Sequence, residues 1–240
     1  MEEITEDRPR IKFKADWVGP IDPHSITVRC REELDRLASL QNKLESIGVI
    51  PILNDGLLGG NCALRPSHEK CNQAIFVSKS GKQPHKAMTG EDFVKIVSFD
   101  RNDWSVKYES VSDSNRPSSD TPLHMVALQA SNVHYGWSQE PRVVVHGHAL
   151  AEGRGLQVAM NAGLPVSTSI TLFSTPEDLR ALEDLLIKHP YPHDRCYIRR
   201  GHGFFLLATD IDDAWQYIDK TLIPLIQSGT IKEENDFYRG

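Results

Sequence analysis

The stretch Val143-Val144-Val145-His146-Gly147-His148-Ala149 constrains the fold more than any other part of the chain. Three consecutive β-branched residues favour extended backbone, because their stiff side chains suit a pleated surface. Side chains alternate between the two faces of a strand. His146 and His148 therefore project to the same side, about 7 Å apart along it. Two imidazoles on one rigid element begin a transition-metal site. A third ligand must come from elsewhere, and His202 in Gly201-His202-Gly203 is the best candidate. Taken alone, a His-x-His is equally a pair of polar residues on an exposed strand face, and the surrounding sequence has to decide.

The chain has 240 residues, 39% hydrophobic and 25% charged, which suits one globular α/β domain. Its net charge of −6 supplies no basic footprint for a nucleic-acid backbone. The longest apolar runs fall far short of a membrane span. Met1-Glu2-Glu3-Ile4-Thr5-Glu6-Asp7 is acidic and lacks the apolar core of a secretory signal. Cys30, Cys62, Cys71 and Cys196 form no tight pair and read as reduced structural thiols. The expectation is a cytoplasmic protein acting on a small molecule, with neither nucleic acid nor membrane as partner.

Residues 1–30 are polar and Pro-rich and read as an N-terminal arm, with short strands near Ile11–Phe13 and Ile26–Val28. Residues 31–240 form the main domain. Leu34, Leu37, Leu40, Leu44 and Ile47 repeat at helical spacing and predict a helix over residues 32–47, stopped by Gly48. Residues 62–65, 74–78 and 94–99 read as strands, and residues 100–112 as a charged hairpin or loop. Ser119 or Asp120 would cap a helix over 121–130. A further helix is expected over 151–162. Thr175-Pro176-Glu177-Asp178 opens another, with a capping Thr, Pro in the first turn and acids at the dipole's positive end. Strands flank Gly201-His202-Gly203, and a last helix over 212–228 would bend at Pro224. The order predicts a three-layer α/β/α fold with a mainly antiparallel central sheet.

Three other motifs bear on chemistry. Gly59-Gly60-Asn61 offers close backbone approach and an amide for an anion, though a simple turn explains it as well. Ser78-Lys79-Ser80-Gly81 is a hydroxyl-rich turn with free N–H groups. Arg116-Pro117-Ser118-Ser119-Asp120 precedes a helix whose N-terminus favours phosphate. There Asp120 is a base, a neighbour of a metal, or merely the helix cap.

Five segments together resemble the class II aldolase/adducin family in content and order. They are Gly60-Asn61, Ser80-Gly81 with Met88-Thr89 and Glu91-Asp92, Pro117-Ser118-Ser119-Asp120-Thr121-Pro122 with His124, His146-x-His148, and Gly201-His202-Gly203. The resemblance spans about Leu34 to Leu225. The family includes L-fuculose-1-phosphate aldolase and L-ribulose-5-phosphate 4-epimerase. Membership implies a class II aldolase-like fold, a fourfold-symmetric homotetramer, and Zn²⁺ (with Fe²⁺ or Mn²⁺ as substitutes) held by His146, His148 and His202 near a subunit interface. It implies that Gly60, Asn61, Ser80, Gly81, Ser118 and Ser119 cradle a substrate phosphate. Asp120 stands where the family's aldolases carry Glu and its epimerase carries Asp. Tyr238, in the run Phe237-Tyr238-Arg239-Gly240, is similar to the epimerase's C-terminal Tyr, a proton donor acting across an interface. The acid expected after the His-x-His strand has no counterpart, since residues 164–174 hold no Asp, Glu or His.

These parts imply a zinc-dependent lyase of aldolase type acting on a phosphorylated ketose or related carbonyl substrate. A three-histidine ion is a Lewis acid for an enediolate, with Asp120 and Tyr238 moving protons. A ketose-phosphate 4-epimerase shares that intermediate. A non-heme iron oxygenase and a non-catalytic adducin-like scaffold are the alternatives from other classes.

Overall fold

The computed structural model describes residues 11–68, 71, 73–129 and 135–230. Its eight strands are β1 (Lys14–Gly19), β2 (Gly60–Leu64), β3 (Ile75–Ser78), β4 (Phe93–Asp100), β5 (Ser105–Glu109), β6 (Val143–Gly147), β7 (Cys196–Arg199) and β8 (Gly203–Ala208). They form one sheet in the order β1-β5-β4-β3-β2-β6-β8-β7. β1 joins β5 in parallel, and every other pairing is antiparallel. The helices are α1 (Val28–Ser46), α2 (Thr121–Gln129), α3 (Gly153–Asn161), α4 (Pro176–Lys188), α5 (Ile211–Tyr217) and α6 (Ile223–Thr230).

Strand alternation divides the core in two. Val143 and Val145 join Leu34, Leu37 and Leu44 of α1 and Ala214 of α5 on one face. Val144 joins Leu123 and Leu128 of α2 and Leu179, Leu182 and Leu186 of α4 on the other. Each fully buried Leu or Val contributes about 1.5–3 kcal/mol, so this alternation pins the register of β6. His146 has the parity of Val144 and so points toward the layer that contains α2 and α4.

The sheet, its largely antiparallel pairing and the helical layers agree with the expected architecture. Several boundaries differ. α1 begins at Val28, because Thr27 caps it by accepting from the Cys30 amide, so no strand forms at 26–28. The other arm strand is β1, at 14–19 rather than 11–13, and it extends the sheet edge. Residues 100–112 hold β5, the strand that β1 joins. The C-terminal helix carries a π-helical segment at Ile218–Leu222 between α5 and α6. Pro224 has no N–H to give the preceding turn, and the wide turn lies directly before it. The four cysteines are free and buried. No helix among the described residues is long and apolar enough to cross a membrane.

Candidate metal centre and anion cleft

Strand register assembles the centre. β2 lies beside β6 with Asn61 opposite His146 and Gly60 opposite Gly147. On its other side β6 pairs with β8, His146 facing Phe205 and Gly147 facing Phe204. His148 follows the strand end, with its amide donating to the Gly59 carbonyl at 3.0 Å. His202 sits in the tight hairpin between β7 and β8, where its amide donates to the Arg199 carbonyl at 3.0 Å. Gly201 takes the positive φ of 75° that this turn requires. Gly203 must be Gly for a second reason: a Cβ there would stand 2.1 Å from the Gly147 carbonyl oxygen. The hairpin can therefore close onto the end of β6 and bring His202 to the other two histidines.

The three imidazole rings lie 5.0 Å (His146–His148), 4.6 Å (His146–His202) and 5.1 Å (His148–His202) apart, centroid to centroid. One nitrogen of each falls within 4.8 Å of the others. His146 donates from Nδ1 to the Phe204 carbonyl at 2.7 Å, which leaves Nε2 facing the centre. The Nε2 atoms of His146 and His202 are buried with no hydrogen-bond partner. Leaving such a group unsatisfied costs about 1–3 kcal/mol. Two orphaned nitrogens beside a third imidazole fit a divalent ion such as Zn²⁺, for which neutral imidazole is a common ligand.

Asp120 faces the same space. Its carboxylate lies 3.6 Å from His146 Nε2 and 3.4 Å from His202 Nε2. It does not cap α2. Instead its Oδ2 accepts from Asn61 Nδ2 at 2.6 Å, and Asn61 Oδ1 accepts from His124 Nε2 at 2.5 Å. Burial would raise the Asp120 carboxyl, but the nearby charges of His202 and His146, with the hydrogen bond from Asn61, hold it well below the usual carboxylate range. Burial would lower His202, but Asp120 and then Asp178 outweigh it and lift the imidazole to about 9. Burial lowers His146 to about 4 and His124 to about 3. Without an ion, the centre pairs an ionised Asp120 with a charged His202.

Gly60, Asn61, Ser80, Gly81, Ser118 and Ser119 all line one cleft, together with Asp120 and His148. Local backbone pairing explains the meeting. Lys79 bridges to Pro117 at the end of β3, the Ser118 amide donates to the Ser78 carbonyl and the Ser80 amide to the Arg116 carbonyl. Asn61 lines the wall, but its amide is engaged with Asp120 and His124. Ser118 Oγ accepts from the Asp120 amide at 3.2 Å. Tyr238 lies outside the described residues.

Four residues near the centre were not among the site residues expected from the sequence. Lys79 and Lys82 line the cleft, each paired with an acid, Asp92 and Glu45 respectively. Both flank the Ser80-Gly81 turn, and that adjacency was a usable signal. Asp178 and Arg199 form a buried ion pair behind His202. A separate groove lined by Arg101, Trp104 and Arg180 holds none of the histidines, and its arginines are paired with Glu183 and Glu177.

Comparison with known proteins gives the same frame. Residues 54–221, more than half of the chain, match the family described as Class II Aldolase and Adducin N-terminal domain. No curated protein matches by sequence. Among solved structures, a sugar-phosphate aldolase from Thermotoga maritima is similar at a TM-score of 0.60 and 13% identity, over 83% of this chain and 92% of that one. An aldolase II superfamily protein from Pseudomonas syringae gives 0.58 and 16%, over 85% and 77%. An L-fuculose 1-phosphate aldolase gives 0.54 and 15%, over 87% and 86%. At these identities the structural likeness establishes the fold, and the sequence match establishes the lineage: the chain belongs to the class II aldolase and adducin family.

Proposed function

We propose that the protein is a zinc-dependent lyase of aldolase type that acts on a phosphorylated ketose, or a related carbonyl compound, through an enediolate. One observation carries the reading: three imidazoles with ligand atoms within 4.8 Å of one another, beside a buried carboxylate and at the end of a cleft of hydroxyls, glycines and lysines. When bound, a divalent ion at His146, His148 and His202 would supply Lewis acidity toward the carbonyl and an adjacent hydroxyl oxygen.

The chain's own groups do the rest. Asp120 stays ionised at neutral pH and takes or returns a proton at the carbon next to the carbonyl. Asn61 orients that carboxylate through its amide, and Ser118 holds the backbone beneath it. Ser80, Gly81, Ser118 and Ser119 grip a phosphate with hydroxyls and backbone N–H groups. Lys79 and Lys82 line that wall as ammonium donors, each held in place by an acid, Asp92 and Glu45. Binding remote from the reacting carbon then serves to orient it. We place the enzyme as a homotetramer with the site near a subunit interface, and Tyr238 as a proton donor across it, on the family resemblance.

A ketose-phosphate 4-epimerase is the second reading, favoured by Asp rather than Glu at position 120 in a Ser-Ser-Asp-Thr-Pro run. The test is a panel of phosphorylated ketoses, assayed after chelation and after Zn²⁺ is restored. Release of a triose that depends on the metal is the expected result. Epimer formation without cleavage selects the second reading. Iron with oxygen uptake, or stoichiometric metal retained by a His146→Ala/His148→Ala protein, overturns both.

A further inference from the structure

A second carboxylate stands at the other edge of the His202 ring. Asp178 lies in the first turn of α4, and its amide donates to the Thr175 hydroxyl at 3.3 Å. Its side chain is fully buried. Oδ1 is ion-paired with Arg199 and accepts from the Thr171 hydroxyl at 2.9 Å. Oδ2 has no hydrogen-bond partner, and neither has His202 Nδ1. The two lie 3.5 Å apart, at the outer edge of a hydrogen bond.

Arg199 makes this carboxylate tenable. It is 1% exposed, and besides pairing with Oδ1 it donates to the Asp178 backbone carbonyl at 2.6 Å. A buried carboxylate without such a partner would cost several kcal/mol. An ion pair needed only for packing would leave no reason for the free oxygen to face an imidazole nitrogen that itself lacks a partner. Asp120, Asp178 and His202 also cluster as three donors. Since Arg199 already neutralises Asp178, that cluster is a poor second cation site.

We propose that Asp178 is a positioning residue for His202. Its Oδ2 accepts from Nδ1–H and fixes the tautomer in which Nε2 faces His146, His148 and Asp120, while Arg199 and Thr171 hold the carboxylate at that angle. This rests on the reading of the three histidines as metal ligands. His146 obtains the same lock from another source, the Phe204 carbonyl on Nδ1. Acceptors on the far nitrogen commonly orient metal-binding imidazoles.

The test uses the full chain and Co²⁺, whose visible bands report ligand geometry, in competition with a chelator. Asp178→Leu/Arg199→Met removes both charges together, a change that buried pairs often tolerate. Its Co²⁺ affinity is expected to fall about 10–100-fold with altered bands, while the metal-free protein keeps a cooperative unfolding transition. Asp178→Glu, which retains the charge for Arg199, is expected to recover part of the loss. If the double variant does not fold, Asp178→Asn is read in its place by the same criteria. Affinity within about twofold of the parent, with unchanged bands, overturns the positioning role alone, since second-sphere losses are larger than that. Failure of the parent chain to take up Co²⁺, or uptake that survives His146→Ala/His148→Ala, overturns the metal-centre reading and this proposal with it.

Discussion

Gly203→Ala is the sharpest probe of how the fold builds the centre. Gly203 has φ of +135°, and a Cβ there would meet the Gly147 carbonyl oxygen at 2.1 Å and His148 Cα at 2.7 Å. Both obstacles are backbone, so no rotamer relieves them. Reaching an ordinary contact of about 3.4 Å requires the β7–β8 hairpin and the end of β6 to part by more than 1 Å. Those are the elements that carry His202 and His148. The backbone conformation alone strains a non-glycine residue by about 1–3 kcal/mol. With the steric overlap added, we expect a loss of about 3 kcal/mol or more. For a chain of this size that lowers Tm by roughly 6–12 °C. Metal affinity should fall at least about tenfold, because a displaced ligand set binds poorly. Gly81→Ala is the control: it shares a positive φ, of +74°, but has nothing within 4 Å of its Cβ. Denaturant unfolding and chelator competition measure the two effects. A Gly203→Ala protein as stable as Gly81→Ala, with parental metal affinity, would refute the claim that this close approach sets the site.

Asp120→Asn keeps the size of the side chain and removes the charge. On the proposed role it lowers kcat by about 10²–10⁴-fold in the ketose assay, and turnover at the parental rate would remove Asp120 from proton transfer. The metal-free protein should also show a stability maximum near pH 6.5. His202 is raised to about 9 in the folded state, so its contribution is complete below 6.5 and is lost as pH rises through 9. His146 and His124 are lowered to about 4 and 3, so each loses stability as pH falls below 6.5 and only the unfolded chain takes up the proton. Chemical denaturation of chelator-treated protein across pH 4–10 checks this, and a flat alkaline limb would contradict the His202–Asp120 pairing.

Much of the fold was legible because local signals and burial agreed. The Leu stripe of α1, the Thr175 cap of α4 and the β-branched run of β6 each specify an element that tertiary packing then uses. The misses have the opposite cause. The start of α1 depends on one capping Thr ahead of a polar stretch, Arg29-Cys30-Arg31-Glu32-Glu33, that shows no apolar period. β1 pairs with β5 about ninety positions away, Lys14 opposite Ser105, and no spacing in either segment announces that partner. Asp120 looked like a helix cap because a cap and a site carboxylate occupy the same sequence position. Which role it serves depends on Asn61 and His146, both brought in by β2–β6 register.

Asp178 shows why the rest of the site escaped. Within the run Thr175-Pro176-Glu177-Asp178 it has a complete local explanation: it is an acid in the first turn of a capped helix, favoured there by the dipole. Arg199 likewise passes for a solvent-facing residue before a turn. A weak signal did exist. Strand alternation puts Arg199 on the same face as Tyr197, which is buried between the sheet and α4, so an Arg two residues on needed a buried anion. The acid that answers it is twenty-one residues upstream in another element, and the imidazole that faces its other oxygen belongs to the next turn. Local chemistry that is already satisfied hides a tertiary role, because nothing in one dimension is left unexplained. The free oxygen of Asp178 becomes conspicuous only once the hairpin folds His202 against it.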